Sequence, residues 1–340
     1  MADAGRYSRQ RLFHGLGEAG QARLRASSAV LVGCGALGSS QADLLVRAGI
    51  GRLRVVDRDS VEASNLQRQT LFSETDAERA LPKAVAASAR LRAVNSEVEV
   101  EGIVADLVAG NAAALLDGFD LLLDGCDSFE TRFLLNDVAL ETGRPWIYGA
   151  VVGAYGLVFP ILPGETACLR CLMRDLPAPG SSPTCDTAGV IGPAAAAVAA
   201  FQAAEALKIL SGRRDRVRRD LLAIELWEGT VQSLRVQRDP ACPACAAGER
   251  DFLHGTAGAS ATRMCGRGAV QIAPASATPV DLDSLAKRLE GVGPLTANPY
   301  LLRLSLAAHQ ITLFRDGRAI VGGTEDPAEA RSLLARYVGA

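Results

Sequence analysis

The sequence predicts an α/β protein with a doubly wound, Rossmann-like and mostly parallel sheet, followed by a small α+β domain. Three observations lead to this fold class. Strand-like and helix-like segments alternate over residues 1–160, which is typical of a parallel sheet with helices on both faces. A glycine-rich turn, GCGALG, follows the first apolar segment. Two Cys-x-x-Cys pairs precede a change of composition after Cys245.

The elements of the first domain are predicted from short apolar runs and from longer segments of helical character between them. The predicted strands are Ala29–Val32, Leu53–Val56, Val98–Val104, Phe119–Leu123 and Trp146–Val152. The predicted helices are Ser39–Ala48, a segment from Pro82 to Val94, and Phe129–Glu141.

The chain after these elements changes character. Residues 172–190 contain three prolines and little periodicity, so they predict an exposed crossing segment. Pro193 suits the first turn of a long helix that ends near Leu210. The start of this helix is uncharged but rich in alanine, which predicts a buried helix and not a membrane span.

The C-terminal part of the chain predicts a separate module. Residues 249–263 are rich in small and polar residues and predict a linker between the first domain, at 1–248, and an α+β domain at 264–340. The predicted elements of that second domain are a strand at Ala269–Ile272, a helix at Leu282–Glu290, paired strands at Leu301–Leu306 and Gln310–Arg315, a further strand to Val321 and a helix from Pro327.

Composition and charge exclude several classes of function. Lysine and arginine total 36 against 38 acidic residues, which gives a formal net charge of −2. No global field would therefore draw the chain to nucleic acid or to an anionic membrane. The N-terminal residues include charges where an export signal would be apolar, so we expect a cytoplasmic protein. Its eight cysteines then indicate metal ligation or thiol chemistry, not disulfides.

The glycine-rich turn predicts a nucleotide site. Gly33, Gly35 and Gly38 form G-x-G-x-x-G before a helix, where the backbone approaches a phosphate and the helix N-terminus offers free N–H groups. Asp57 ends the second strand, where an acid hydrogen-bonds a ribose hydroxyl. This pair alone fits an NAD-dependent oxidoreductase as well as an ATP-binding enzyme.

The residues that follow favour a triphosphate. Asn65 and Arg68 lie in a polar segment after Asp57, and Lys83 begins the next helix. Only three of the basic residues are lysines, and a compact ammonium at a helix start suits a phosphate oxygen. The alternative is a solvent-exposed Lys83.

Two acids after the fourth strand are candidate magnesium ligands. Asp124 and Asp127 flank Cys126 at the carboxyl edge of the sheet, where ligands bind in this fold. A carboxylate beside phosphates is a natural ligand of Mg²⁺. We predict that Asp127 is the ligand and that Asp124 caps the strand end.

The motifs together resemble the ThiF/MoeB/HesA adenylyltransferases, the bacterial relatives of ubiquitin-activating enzymes. The similar stretches are RYSRQ at 6–10, GCGALG, VDRDSVEASNLQRQ, Lys83, DGCDSFETR, both cysteine pairs and CDTAGVIGP, in that order over residues 5–248. The resemblance implies ATP- and magnesium-dependent adenylation of the C-terminal glycine of a ubiquitin-like sulfur carrier of the MoaD or ThiS type, ending in Gly-Gly, with release of pyrophosphate. It places the carrier's sulfur transfer in the biosynthesis of a cofactor such as molybdopterin or thiamine.

The resemblance also implies roles for particular residues. Asp57 and Asn65 would contact the ribose, Arg68 and Lys83 the triphosphate, and Asp127 the magnesium. Arg9 would reach the phosphates of a neighbouring subunit, which implies a homodimer. The full implied nucleotide-contacting set is Gly33, Gly35, Ala36, Gly38, Asp57, Asp59, Ser64, Asn65, Leu66, Gln67, Arg68, Lys83, Asp127 and Ser128. Ala36 departs from the pattern, because the family usually has a further glycine there.

The cysteines divide by position. Cys168, Cys171, Cys242 and Cys245 have the spacing of metal knuckles, and the resemblance joins both pairs in one structural zinc site. Cys185 lies in the crossing segment, where related enzymes can form a covalent link to the carrier; an unused free thiol is an equal alternative. A structural role is favoured for Cys265, with a second transfer thiol as the alternative.

Three functions are weighed against these residues. Adenylation of a sulfur carrier explains every motif named above. A nicotinamide-dependent oxidoreductase on the same fold leaves Arg68, Lys83 and the cysteine pairs without a role. A carrier-binding scaffold without activation would need none of the predicted phosphate and metal contacts.

Overall fold

The fold is seen in a computed structural model that describes residues 5–177, 188–254, 261–264, 268–272 and 279–338. Its first domain is built on an eight-stranded sheet with strand order β3-β2-β1-β4-β5-β6-β7-β8. The strands are β1 Ser28–Val32, β2 Arg52–Asp57, β3 Glu99–Val104, β4 Leu121–Asp124, β5 Trp146–Val152, β6 Tyr155–Ile161, β7 Leu221–Glu225 and β8 Thr230–Leu234. Strands β1 to β5 are parallel, and β6 to β8 continue the sheet as antiparallel strands.

Helices cover both faces of this sheet. They are α1 Ser8–Leu12, α2 Gly17–Arg25, α3 Ala36–Ala48, α4 Glu74–Glu78, α5 Lys83–Val94, α6 Ala109–Leu116, α7 Phe129–Thr142, α8 Leu169–Leu172, α9 Gly192–Leu210 and α10 Asp251–His254. Side chains of β1 alternate between the two cores: Ala29 and Leu31 pack with α3, α5 and α9, whereas Val30 and Val32 pack with α6 and α7. The predicted doubly wound, mostly parallel architecture is confirmed.

The long helix α9 is a core helix of this domain. Its length and mean hydropathy of 1.3 are those of a membrane span, but nine of its residues are buried. It packs on α3 and on strands β5 and β6. Alanine dominates its buried side because helix and sheet approach closely there, and the predicted buried helix is confirmed.

The sequence prediction lacks the three antiparallel strands. Strand β6 returns from β5 through a tight turn in which Gly153 has a φ of +63°, and β7 pairs next to it. All five residues of β8 are exposed, so no alternation of apolar and polar residues marks it as a strand.

The C-terminal domain is an antiparallel sheet with helices on one face, as predicted. Its strand order is β11-β12-β13-β14-β10-β9. The elements are β9 Ala261–Met264, β10 Ala269–Ile272, α11 Leu282–Arg288, β11 Leu295–Ala297, β12 Leu301–Ser305, β13 Gln310–Phe314, β14 Ala319–Gly322 and α12 Pro327–Tyr337. Leu285 of α11 and Leu334 of α12 pack on strand residues such as Val321 in one core.

The predicted linker, residues 249–263, is structured at both ends. Helix α10 lies within it, and Phe252 packs against Phe133 with ring centroids 4.9 Å apart. Strand β9 at the other end pairs with β10. These ends are therefore parts of the two domains, because each completes the packing of its neighbour.

Candidate functional site

The glycine-rich turn joins β1 to α3 at the carboxyl edge of the sheet. Gly33 has a φ of +87°, and a Cβ atom there would lie 2.6 Å from the backbone of Gly125. A Cβ on Gly38 would lie 2.0 Å from the carbonyl oxygen of Gly33. At Gly35, by contrast, a Cβ would meet nothing closer than 3.8 Å. The first and third glycines therefore serve the turn and the helix packing, and the second leaves space at the N-terminus of α3.

A cavity opens at this N-terminus. The residues that line it come from the ends of β1 to β4 and from the starts of α3, α5 and α7. Of the sequence-predicted residues, it is lined by Gly33, Gly35, Ala36, Asp57, Asp59, Arg68, Lys83, Asp127 and Ser128. Ala36 is the first residue of α3 and its methyl group also packs against the sheet core. The free N–H groups of a helix start at this position are suited to an anion.

Asp57 holds the glycine-rich turn in place. Its Oδ2 accepts a hydrogen bond from the backbone N–H of Cys34 at 2.6 Å, and its Oδ1 accepts one from that of Asp59 at 2.7 Å. Burial raises the pKa of the Asp57 carboxyl, while the nearby ammonium of Lys83 opposes this rise. Asp57 is thus fixed at the cavity wall before any ligand binds.

Lys83 is buried at the cavity and is not a solvent-exposed lysine. It is the first residue of α5, only 2% exposed, and its Nζ lies 3.1 Å from Oδ2 of Asp59. Its backbone N–H donates to the carbonyl oxygen of Asp59 at 2.9 Å. A buried ammonium needs partners that compensate for lost hydration, and here the partner itself lines the cavity.

The two acids after β4 differ in burial and in bonding. Asp124 is fully buried: its Oδ2 lies 3.1 Å from Nε of Arg132, and its Oδ1 accepts from the backbone N–H of Cys126 at 3.0 Å. Burial, the largest single effect, lowers the pKa of the Arg132 guanidinium, but Asp124 and the other ionisable groups around it together raise that pKa above its ordinary value. Asp127 is exposed and lines the cavity. Asp124 is therefore bonded within the strand end, whereas Asp127 presents an exposed carboxylate at the cavity.

The VEASNLQRQ segment contributes less to the cavity than its motif suggests. Arg68 lines it and donates from Nη1 to the carbonyl oxygen of Ser64 at 3.0 Å. Asn65 is buried on a 3-10 turn and does not line the cavity. The other predicted residues that do not line it are Gly38, Ser64, Leu66, Gln67 and Arg9. Arg9 is exposed on α1.

Several residues that the sequence prediction lacks also line the cavity. Arg58, Gln69, Asp106 and Arg132 are the polar ones with the longest side chains. Asp106 follows β3, so the general rule that ligands meet strand ends could have found it. Arg132 lies in the quoted DGCDSFETR stretch, but its ion pair with Asp124 is seen only in three dimensions.

Four cysteines meet at a second place in the first domain. The Sγ atoms of Cys168 and Cys171 are 3.9 Å apart, those of Cys168 and Cys242 3.6 Å, and those of Cys171 and Cys245 3.5 Å. All four sulfurs lie within 4.8 Å of one another. A tetrahedron with Zn–S bonds of about 2.3 Å has sulfurs about 3.8 Å apart, so this cluster fits a metal ion. The predicted meeting of both pairs is confirmed.

Two other predicted cysteines cannot be placed. Cys185 and Cys265 lie outside the described residues. Cys34 is fully buried in the glycine-rich turn and packs in the core under the sheet. Cys126 is half-buried and lines the cavity, where its Sγ donates to Oδ1 of Asp124 at 2.9 Å.

The fold and the cavity define a class of protein. The cavity lies at the carboxyl ends of parallel strands, beside a helix N-terminus and a buried lysine. This arrangement is typical of nucleotide-binding proteins with a doubly wound fold. The chain belongs to the ThiF family, because the model of that family matches residues 7–244. The resemblance drawn from the motifs is thereby confirmed.

Similar proteins extend this result. "Sulfur carrier protein ThiS adenylyltransferase" of Bacillus subtilis is 44% identical over 338 residues, which cover 98% of this chain and 99% of that protein. "Sulfur carrier protein adenylyltransferase" of Thermus thermophilus is 42% identical over 245 residues, or 71% of this chain and 90% of that protein. A crystal structure of Escherichia coli MccB with MccA-N7isoASN has the same fold, with a TM-score of 0.64, 24% identity and coverage of 72% of this chain and 75% of that one.

Proposed function

We propose that this protein adenylates the C-terminal glycine of a ubiquitin-like sulfur carrier with ATP and releases pyrophosphate. The observation that carries the proposal is the cavity with its buried lysine in a chain that is 44% identical, over nearly its whole length, to a ThiS adenylyltransferase. The carrier is of the ThiS or MoaD type and ends in Gly-Gly, and the product serves sulfur transfer in cofactor biosynthesis.

The chemistry suits the side chains in the cavity. An oxygen of the carrier's terminal carboxylate forms a bond to the α-phosphorus, and the bond from that phosphorus to the bridging oxygen breaks with its electron pair, so pyrophosphate leaves. The nucleophile is already ionised at pH 7, so no general base is required. The barrier lies in bringing two anions together. Lys83, Arg68 and the N-terminus of α3 lower it by fixed positive charge.

The adenosine and the metal have candidate positions in the same cavity. Asp57 contacts the ribose, Gly35 and Ala36 lie under the phosphates, and Asp127 would hold Mg²⁺. Asn65, which the resemblance also assigns to the ribose, does not line the cavity. Magnesium supplies charge neutralisation of the phosphate oxygens when it is bound. The carboxylate of Asp127 is exposed at the cavity, whereas that of Asp124 is buried and bonded to Cys126 and Arg132. This difference in exposure supports Asp127 as the ligand.

The four-cysteine cluster holds zinc as a structural ion in this proposal. Its sulfur spacing fits a tetrahedral site, and four thiolate ligands leave no open position for chemistry. The ion joins the segment after β6 to the segment after β8.

A homodimer in the cytoplasm completes the proposal. Arg9 does not line the cavity of its own chain, which agrees with a role in the cavity of a neighbouring subunit. Cys185 is either a thiol that attacks the acyl-adenylate or an unused one, and replacing it tests only the step after adenylation.

The test is ATP–pyrophosphate exchange with purified candidate carriers that end in Gly-Gly. Exchange with one of them, lost when its terminal glycine is removed, supports the proposal. Tight carrier binding without exchange by any carrier would instead identify a scaffold. A shift in melting temperature with NAD but none with ATP and magnesium would identify an oxidoreductase.

A further inference from the structure

One face of the C-terminal sheet is turned away from the helices of its own domain. Residues Arg303, Thr312, Ile320 and Gln271 are paired directly across β12, β13, β14 and β10 and form one row on this face. Their neighbours along the strands point the other way into the core under α11 and α12. Because side chains alternate along a strand, the row faces the first domain.

This face packs on the first domain through an apolar centre. Leu301 and Phe314 are buried with Ala80, and Val104 at the end of β3 and Ile320 both pack against this cluster. Asn298 adds a polar contact at the margin, where its Nδ2 donates to the carbonyl oxygens of Arg79 and Ala80 at 3.0 and 3.2 Å. The two domains therefore share one continuous contact.

The polar ends of the row reach the segments that form the nucleotide cavity. Arg303 donates to Oγ of Ser60, which comes directly after Asp59. Gln271 donates from Nε2 to Oδ2 of Asp106 at 2.5 Å. Asp106 lines the cavity, so a side chain of the C-terminal domain contacts the cavity wall from behind.

A line of alternating charges leads on from Asp106. Its Oδ1 lies 3.1 Å from Nη1 of Arg58, and Nε of Arg58 lies 3.8 Å from Oδ1 of Asp59. Oδ2 of Asp59 lies 3.1 Å from Nζ of Lys83. All four of these residues line the cavity. The position of the Lys83 ammonium is thus linked, contact by contact, to Gln271.

The side chain of Gln271 is poorly satisfied by hydrogen bonds within its own sheet. It is 5% exposed, and among the described residues its Oε1 has no hydrogen-bond partner. A buried acceptor without a partner destabilises the folded state. An apolar side chain of the same length would therefore suit the sheet at least as well, and what distinguishes glutamine here is its donor to Asp106.

We propose that Gln271 is a positioning residue for the nucleotide site, through which the C-terminal domain fixes Asp106 and, by way of Arg58 and Asp59, the ammonium of Lys83. The identity of the nucleotide as ATP rests on the proposed function. The positioning itself does not.

The experiment compares the full-length wild-type chain with Gln271→Met and with Asn298→Ala as a matched control. Each variant removes a side-chain amide that bonds to the other domain. Of the two wild-type amides, only that of Gln271 contacts a residue that lines the cavity. In Gln271→Met we expect faster hydrogen exchange at the amides of residues 57–60 and 105–107. We also expect a dissociation constant for ATP with magnesium about fivefold higher, equivalent to the loss of one ordinary hydrogen bond, because Gln271 acts on Lys83 only through other side chains. The melting temperature should be unchanged or raised.

In the ATP–pyrophosphate exchange assay, Gln271→Met should show a higher KM for ATP and an unchanged kcat. Asn298→Ala should change neither hydrogen exchange at these amides nor ATP affinity. Equal hydrogen exchange and equal ATP affinity in Gln271→Met and the wild type would overturn the proposal. Equal losses of ATP affinity in Gln271→Met and Asn298→Ala would also overturn it. A wild-type chain that binds no ATP would contradict the proposed function, while hydrogen exchange would still decide the role of Gln271.

Discussion

The nucleotide cavity and the four-cysteine cluster lie in the same domain but are held together in different ways. The charged groups of the cavity are bonded to the protein itself: Asp57 to two backbone amides and Asp124 to Arg132. The thiols of the cluster contact one another and backbone N–H groups, such as that of Asp239 at 3.5 Å from Sγ of Cys171. Thiols are weak hydrogen-bonding groups. The charged groups of the cavity are therefore held by the protein itself, whereas we expect the cluster to depend on a bound metal ion.

The largest effect on activity is expected from Lys83→Met. This change removes a fixed positive charge where negative charge gathers in the transition state, so ATP–pyrophosphate exchange should fall by about 100- to 1000-fold. Lys208→Met is the matched control, because Lys208 is a partly exposed lysine paired with Glu205 at 2.6 Å and does not line the cavity. Equal exchange by the Lys83→Met variant and the control would show that the cavity is not the reaction site.

Substitutions of the two acids after β4 distinguish a role in catalysis from a role in stability. Asp127→Asn should reduce exchange by about 100-fold and leave the free energy of unfolding unchanged, because Asp127 is exposed. Asp124→Asn leaves Arg132 buried without its ion-pair partner, so we expect a loss of about 3 kcal/mol in that free energy. Urea unfolding and exchange rates measured on both variants separate the two effects. A large loss of stability in Asp127→Asn would reverse the assignment.

What the sequence predicts well is what a local pattern encodes. The alternation of strands and helices gave the parallel part of the sheet, and the turn at Gly33 with the start of α5 at Lys83 gave the core of the cavity. The four cysteines were recognisable as two pairs from spacing alone. In each case the residues that matter are close in the chain or belong to a motif with a fixed place in the fold.

What the sequence does not predict depends on contacts between distant segments. Asn65 belongs to a motif next to Asp57, but a 3-10 turn buries it away from the cavity wall. Asp106 and Gln271 come from different domains, and only the packing of one sheet on the other brings them together. Strand β8 has no buried face, so it carries no pattern that could be read.

Removal of the metal should affect the cluster and spare the cavity. We expect a chelator, or Cys245→Ser, to lower the free energy of unfolding by about 3 kcal/mol and hence the melting temperature by roughly 6–12 °C. ATP affinity measured below the new melting temperature should change by less than about threefold, because no cluster cysteine lines the cavity. Metal content measured alongside confirms removal. Loss of ATP binding together with the metal would show that the two regions are not independent.

The smallest expected effect is a difference in the rate of thiol alkylation. This rate compares Cys34 beside the nucleotide cavity with the cysteines of the cluster. Burial, with the neighbouring Asp57 as a second cause, raises the pKa of the Cys34 thiol above its ordinary value of 9.0. The folded pKa is therefore the higher one, so this group favours the folded state at neutral pH, and that contribution is lost as pH rises above the unfolded value.

Alkylation requires the thiolate, so iodoacetamide at pH 8.5 should leave Cys34 unmodified in the native chain and label it in guanidinium. After chelation the half-buried Cys171 should become labelled while Cys34 stays protected, as read by peptide mass spectrometry. Labelling of Cys34 at the same rate as the cluster cysteines would mean that metal loss also opens the cavity. The cavity would then be no more preformed than the cluster.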